Sequence, residues 1–260
     1  MASFESVQVE KILGIASELE AGIGPGAAVL DFGCGRGRLV RELRERGFRS
    51  FGCDIEFLYH EDSEAERMLR DGVLRMIGAT PYRLPFEDDT FDLVFSYQVF
   101  EHVRNYGEAL AEIARVLKPG GATLHVFTPR YVPVEPHVHV PLAAMIRSLP
   151  WLRLWAALGV RNEFQTGLSA GETARRNREY LLDRTNYLTP TKIRDHFETH
   201  FGAVVSCEKA SLKYASNRYG AFLYAASRYA PMIPLLVGTF GKRAVLAKEP
   251  RKPKTKGSTI

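Results

Sequence analysis

Val29-Leu30-Asp31-Phe32-Gly33-Cys34-Gly35-Arg36-Gly37-Arg38-Leu39 is the stretch whose reading decides the fold. Two apolar residues run into an acid, and three glycines then alternate with other residues. Arg, Glu and Leu follow, predicting a helix over 38–46. The pattern is strand, turn, helix, with the turn stripped of side chains. Glycines there admit positive φ and let a ligand lie against the main chain. In an open α/β sheet such a turn sits at the carboxyl end of a strand, where ligands bind. A dinucleotide fingerprint, G-x-G-x-x-G, would place its third glycine at Arg38. That bulky side chain counts against a nucleotide pyrophosphate and against a dinucleotide oxidoreductase.

The chain of 260 residues, 45% hydrophobic and 25% charged, is sufficient for one large α/β domain with an insertion. Its three cysteines (Cys34, Cys53 and Cys207) are too few for a disulfide framework. They read as small apolar residues of a protein in a reducing, cytoplasmic setting. The first twenty residues carry four glutamates and no long apolar run, unlike a signal peptide. No run of about 18 uncharged apolar residues predicts a spanning helix. From Lys242 onward, seven basic residues face Glu249 alone, a balance of +6 that leaves −1 of the net +5 for the rest. A basic end on a near-neutral body lacks the spread footprint of a nucleic-acid binder. It reads as a solvated tail, or as one lying near an anionic membrane.

Around the glycine turn the pattern predicts helices over 5–21, 61–71, 105–117, 170–183, 190–200 and 217–229. Strands are expected over 28–32, 48–54, 73–77, 91–96, 122–127, 203–207 and 242–247. Asp54 ends the second strand, about 20 residues beyond the glycines, where a carboxylate can accept both ribose hydroxyls of an adenosine. Leu84-Pro85-Phe86, an acidic turn and Phe91-Asp92-Leu93-Val94 lead into a buried strand. Leu117-Lys118-Pro119-Gly120-Gly121 is expected to stop a helix and turn the chain into the next strand.

Asp31-x-Gly33-x-Gly35-x-Gly37, Leu84-Pro85-Phe86 with Phe91-Asp92, and Leu117 to Gly121 together resemble the class I S-adenosylmethionine-dependent methyltransferases that act on small molecules. The resemblance covers residues 28–128 in unbroken order. It implies a Rossmann-like α/β fold: a seven-stranded, mostly parallel sheet with helices on both faces and a helical lid insertion. It implies S-adenosylmethionine as cofactor, with no metal. Asp31, Gly33, Cys34, Gly35 and Gly37 would hold its amino-acid part, with Asp31 near the ammonium. Asp54 and Ile55 would hold the ribose, and Ala79 and Thr80 the adenine side. Tyr97 and Gln98, with Glu101 and His102 after them, would line the sulfur end. Thr80 departs from the family, which commonly has an acid there for the adenine amino group; a hydroxyl binds it more weakly.

Residues 1–128 thus read as the cofactor half, 129–187 as a substrate cover, 188–249 as the rest of the sheet domain and 250–260 as a disordered tail. The segment from Pro129 to Pro141 carries Glu135, His137 and His139 and leaves a strand beside the reacting methyl. Methyl transfer to a hydroxyl needs a base, and the candidates are His137, His139, Glu135, Glu101 and His102. If the segment is strand-like, His137 and His139 face the same side. His137, held in Glu-Pro-His, is the first choice. A structural role for both histidines stays open, and a metal cluster with Glu135 ranks low. His125 reads as a core residue. The apolar stretch 142–160, holding both tryptophans, suits packing, a lid or a membrane-surface helix, and 231–237 is a second apolar stretch. The expected activity is methylation of a small molecule, such as a hydroxyl of a sugar, a lipid-linked glycan or a secondary metabolite. The alternative is a non-catalytic adenosylmethionine-binding protein or regulator. The acceptor's identity and the oligomeric state stay open.

Overall fold

The computed structural model describes residues 3–21, 23–57 and 63–252, without the side chains of Ser63 and Ala79. Residues 61 and 62 of the expected third helix, and the basic tail from residue 253, lie outside the described residues.

In chain order the elements are α1 (Phe4–Glu18), β1 (Ala28–Phe32), α2 (Arg38–Glu45), β2 (Arg49–Asp54), α3 (Ser63–Arg70) and β3 (Leu74–Met76). A two-stranded hairpin, β4 (Gly78–Ala79) and β5 (Tyr82–Arg83), precedes β6 (Phe91–Tyr97), α4 (Tyr106–Val116) and β7 (Leu117–Phe127). Then come α5 (Leu149–Ala157), α6 (Ala170–Asp183), α7 (Pro190–His200), β8 (Phe201–Ser206), α8 (Glu208–Lys213), α9 (Arg218–Ala226), α10 (Ile233–Phe240) and β9 (Arg243–Pro250). Seven strands form one sheet in the order β3-β2-β1-β6-β7-β9-β8, with β9 antiparallel to both neighbours and every other pair parallel.

A strand covered on both faces must be apolar on both, and all five residues of β1 are buried. Its alternate residues serve opposite cores. Ala28, Leu30 and Phe32 pack with α4 and α7, whereas Val29 packs with Val9, Ile12 and Ile15 of α1 and with Leu43 of α2. Ser3 caps α1 and Thr189 caps α7, each hydroxyl accepting a backbone N–H three residues on.

The sheet explains why two of the family motifs occur together. Asp92 accepts from the Ala28 N–H at 2.8 Å and pairs with Lys118 Nζ at 2.8 Å. The acid after Phe91 therefore fastens the start of β1 to the lysine before Pro119. Buried Arg115 ties the Leu84-Pro85-Phe86 loop to α4. It donates to the carbonyls of Leu84 and Phe86 and pairs with Glu112 and Asp88, while Glu112 accepts from the Leu84 N–H.

Three expectations are corrected. The Leu117 to Gly121 segment is not a turn after the helix. It is the irregular start of β7, with Leu117 paired to Phe91 and Gly120 at φ +80°. The tail does not begin at Pro250: that residue ends β9, the Arg251 N–H donates to the His200 carbonyl at 2.7 Å, and Lys252 pairs with Asp89. The apolar stretch 142–160 is helical only from Leu149. Its tryptophans pack against Val138, Val140, Leu152, Ala174 and Leu181, so the insertion has a small core of its own. The apolar residues that suggested a membrane-surface helix include both tryptophans, and both turn inward. Hairpin β4–β5 and helices α8 and α10 went unread in the sequence.

Candidate active site

Strands β1, β2, β6 and β7 run parallel, so their carboxyl ends meet at one edge of the sheet. There stand the glycine turn, Asp54, Gln98 and Thr128. Gly33, Gly35 and Gly37 all take positive φ, at +79°, +50° and +69°. A Cβ on Gly33 would lie 2.5 Å from a Val99 methyl, and one on Gly37 would press on Leu74. At Gly35 a Cβ would meet no atom within 4 Å. Two of the glycines are thus required by packing, while the third borders open space beside the turn. Cys34 turns the other way. Its thiol side packs with Val40, Met68 and Leu74, its N–H donates to Cys53 and its carbonyl accepts from Gly37. It shapes the turn and presents no free group to a ligand. All three cysteines are buried and unpaired, and burial pushes their thiols up.

Asp31 is 3% exposed, and no described residue donates to its carboxylate. Burial first, and the charge of Asp54 second, push it up to about 8. Asp54 accepts from the N–H groups of Gly35 at 2.9 Å and Ile55 at 2.7 Å, which tie the end of β2 to the turn. Beside it Ile55 lies exposed. The Ile77 N–H donates to the Asp54 carbonyl at 2.8 Å, which sets hairpin β4–β5 just beyond Asp54. Thr80 sits exposed at the hairpin's turn; Ala79 precedes it.

After β6 the chain turns sharply, with Gln98 at φ +58°, a costly conformation for a residue with a side chain. Gln98 donates to Thr128 Oγ1 at 3.0 Å and to Glu101 Oε1. Glu101 is buried, and its Oε2 has no partner among the described residues. Tyr97 accepts a hydrogen bond from Lys242 Nζ at 3.0 Å. An unsatisfied buried carboxylate is costly in a closed protein and calls for a donor. Together with partnerless Asp31 and the open space at Gly35, it leaves acceptors at this edge for a ligand that carries hydrogen-bond donors.

A second group of titratable side chains lies next to it. Glu135 is fully buried and receives four donors: His137 Nδ1 at 2.6 Å, Tyr187 Oη at 2.5 Å, and the N–H groups of His137 at 2.9 Å and Val138 at 2.8 Å. Burial alone would raise Glu135, but these bonds outweigh it and hold the carboxyl below its usual range. Burial alone would lower His137, but the bond to Glu135 and its charge lift it above the ordinary imidazole value. With Nδ1–H given to the carboxylate, Nε2 is left as the accepting nitrogen, the tautomer a general base needs. His102 packs edge-on against His137, with ring centroids 4.8 Å apart, and its Nδ1–H donates to the Arg184 carbonyl at 2.6 Å. Tyr180 of α6 flanks His137 at 5.6 Å.

His137, His102 and Glu101 are therefore brought together, and His139 is not. The Glu135 carboxylate draws two backbone N–H groups onto itself and the His139 N–H closes onto the Glu135 carbonyl, so the segment is a turn and the strand period fails. His139 takes φ +59° and is exposed. Among the described residues no three His, Cys, Asp or Glu side chains stand together so as to hold a metal ion. His125 lies in the core, bonded to Ser96 and Thr123, and burial lowers it to about 3. Tyr187 went unread, because 52 residues separate it from Glu135 and no local pattern marks it.

Residues 30–124 match the methyltransferase-domain family. The chain is 36% identical over 107 residues to the sterol 24-C-methyltransferase of Schizosaccharomyces pombe, covering 38% of this chain and 27% of that protein. It is 32% identical over 112 residues to the sarcosine/dimethylglycine N-methyltransferase of Halorhodospira halochloris, covering 40% and 39%. An uncharacterized protein of Mycobacterium tuberculosis is 28% identical over 196 residues, 71% of this chain and 68% of its own length. Among solved structures, an S-adenosylmethionine dependent methyltransferase from Mesorhizobium loti has a TM-score of 0.49 at 14% identity, covering 91% of this chain and 98% of that one. The chain thus spans about a quarter to two thirds of these curated relatives. The glycine turn and Asp54 stand inside this matched segment, at the edge where the strand order brings the parallel strands together, and residues 30–124 are those of a methyltransferase domain.

Proposed function

We propose that the protein methylates a hydroxyl of a small-molecule acceptor, a sugar, lipid-linked glycan or secondary metabolite, with His137 as the base. The hydrogen bond from His137 to buried Glu135 carries this reading. S-adenosylmethionine, when bound, supplies a methyl group activated on a sulfonium. The residues of this chain do the rest. Asp31 and Glu101 receive donors, and Asp54 keeps lone pairs for the ribose. His137 Nε2 takes the hydroxyl proton while Glu135 and Tyr187 hold the ring and stabilise its charged form. Residues 129–187 cover the acceptor and keep water out. The relatives named for sterol or sarcosine/dimethylglycine methylation support a small-molecule acceptor. The test is transfer of labelled methyl from S-adenosylmethionine into fractions of a cell extract, followed by His137→Ala on the acceptor found. Turnover should fall about a hundredfold or more with cofactor affinity kept. Unchanged turnover removes His137 from the role.

A further inference from the structure

Helices α9 and α10, both between β8 and β9, turn apolar side chains to solvent. Tyr219 and Phe222 stand three apart on α9, and Tyr229 follows at 91% exposure. Met232, Leu235 and Phe240 make the matching stripe along α10, with Leu235 at 66%. Residues 229–241 contain no charged side chain. Between residues 208 and 242 the charges are Lys209, Lys213, Arg218, Arg228 and Lys242 against Glu208, and Glu208 is buried. Within this segment every exposed charge is basic, with exposed Arg218 and Arg228 bracketing α9; Lys213 is paired with Glu18 of α1.

Topology places this face. β8 is parallel to β7 and ends at the carboxyl edge, and antiparallel β9 starts from that edge, so the crossover through α8, α9 and α10 leaves and re-enters the sheet at the edge that holds the site, although Lys213 at the end of α8 reaches Glu18. Lys242, just after α10, reaches Tyr97 at the end of β6. No described helix is long and apolar enough to cross a membrane. Paired stripes of Tyr, Phe, Leu and Met ringed by Arg and Lys match the interface of an anionic bilayer, where apolar groups enter the acyl boundary and cations meet headgroups. A protein partner would need acids to answer the same ring, and a second copy of this face would set like charges together.

We propose that the α9–α10 face docks on the surface of an anionic membrane, bringing the mouth of the site to the lipid. The docking does not depend on methyl transfer and is measured without turnover. The full chain is floated with vesicles of equimolar phosphatidylcholine and phosphatidylglycerol, and with phosphatidylcholine alone. It should float with the first, at low salt, and stay down with the second. Phe222→Ser with Leu235→Ser should weaken binding at least tenfold. Arg218→Glu with Arg228→Glu should weaken it by more than the roughly fivefold that each lost cation contributes. Unchanged melting and adenosylhomocysteine binding show the variants folded. If the wild type stays down, or either double variant floats equally well, the proposal is overturned. A dimer that needs Phe222 and Leu235, with no flotation, overturns it in favour of self-association.

Discussion

Asp31 gives the sharpest test of the cofactor site. Its carboxyl is buried without a donor, beside Asp54, and sits at about 8. At about pH 7 roughly ten molecules in eleven carry it protonated, and ionising it there costs about 1.4 kcal/mol. If Asp31 receives the cofactor's ammonium, only the ionised form binds. Affinity for adenosylhomocysteine should then rise about ninefold from pH 6 to pH 7 and about fivefold more by pH 8, then level. Calorimetry at pH 7, in buffers of different ionisation enthalpy, should show nearly one proton released per ligand bound. The ligand's own amino group titrates in the alkaline range, and any loss it causes appears in wild type and variants alike. Asp31→Asn should abolish both the acid-side slope and the released proton, while Asp54→Asn should keep them. An affinity independent of pH, or the same slope in Asp31→Asn, would refute the assignment. The sign for stability is opposite. The folded-state value lies above the unfolded one, so without ligand Asp31 costs stability progressively as pH rises from about 4 to about 8.

Other outcomes follow from the same geometry. Gly33→Ala should destabilise by roughly 2–4 kcal/mol in thermal or denaturant unfolding, because its Cβ strikes Val99 at positive φ. Gly35→Ala should cost only about 1–2 kcal/mol yet weaken cofactor binding, since its Cβ enters open space. Glu135→Gln should shift the acidic limb of the rate profile to lower pH, because His137 loses the partner that raises it and becomes neutral earlier. Arg115→Ala should destabilise by about 3 kcal/mol, read from denaturant unfolding, because it leaves half-buried Glu112 and two buried carbonyls without their partner.

Much of the cofactor half was legible because its signals are local. The glycines of the turn are next to one another in sequence, and β1 is an unbroken apolar run because both faces of the sheet are covered. Helix α6 and the Thr189 cap of α7 were read where they stand, since periodicity and capping act within a few residues. The strand into which Leu117 to Gly121 leads was misread as starting later, because Pro119 and two glycines look like a turn until β6 supplies a pairing partner.

The sequence by itself determined the fold class and the cofactor, because strand period, turn chemistry and capping depend on neighbours along the chain. Only the tertiary structure decided which histidine is paired with a buried carboxylate. His137 and His139 are equivalent in composition and spacing. A buried carboxylate with a fixed number of lone pairs accepts from the nearest donors, and Glu135 takes one histidine, Tyr187 and two backbone groups, which bends the chain and turns His139 to solvent. Three of these bonds lie within three residues of Glu135 but need its burial to form, and the fourth, from Tyr187, crosses 52 residues, a distance over which no local rule carries information.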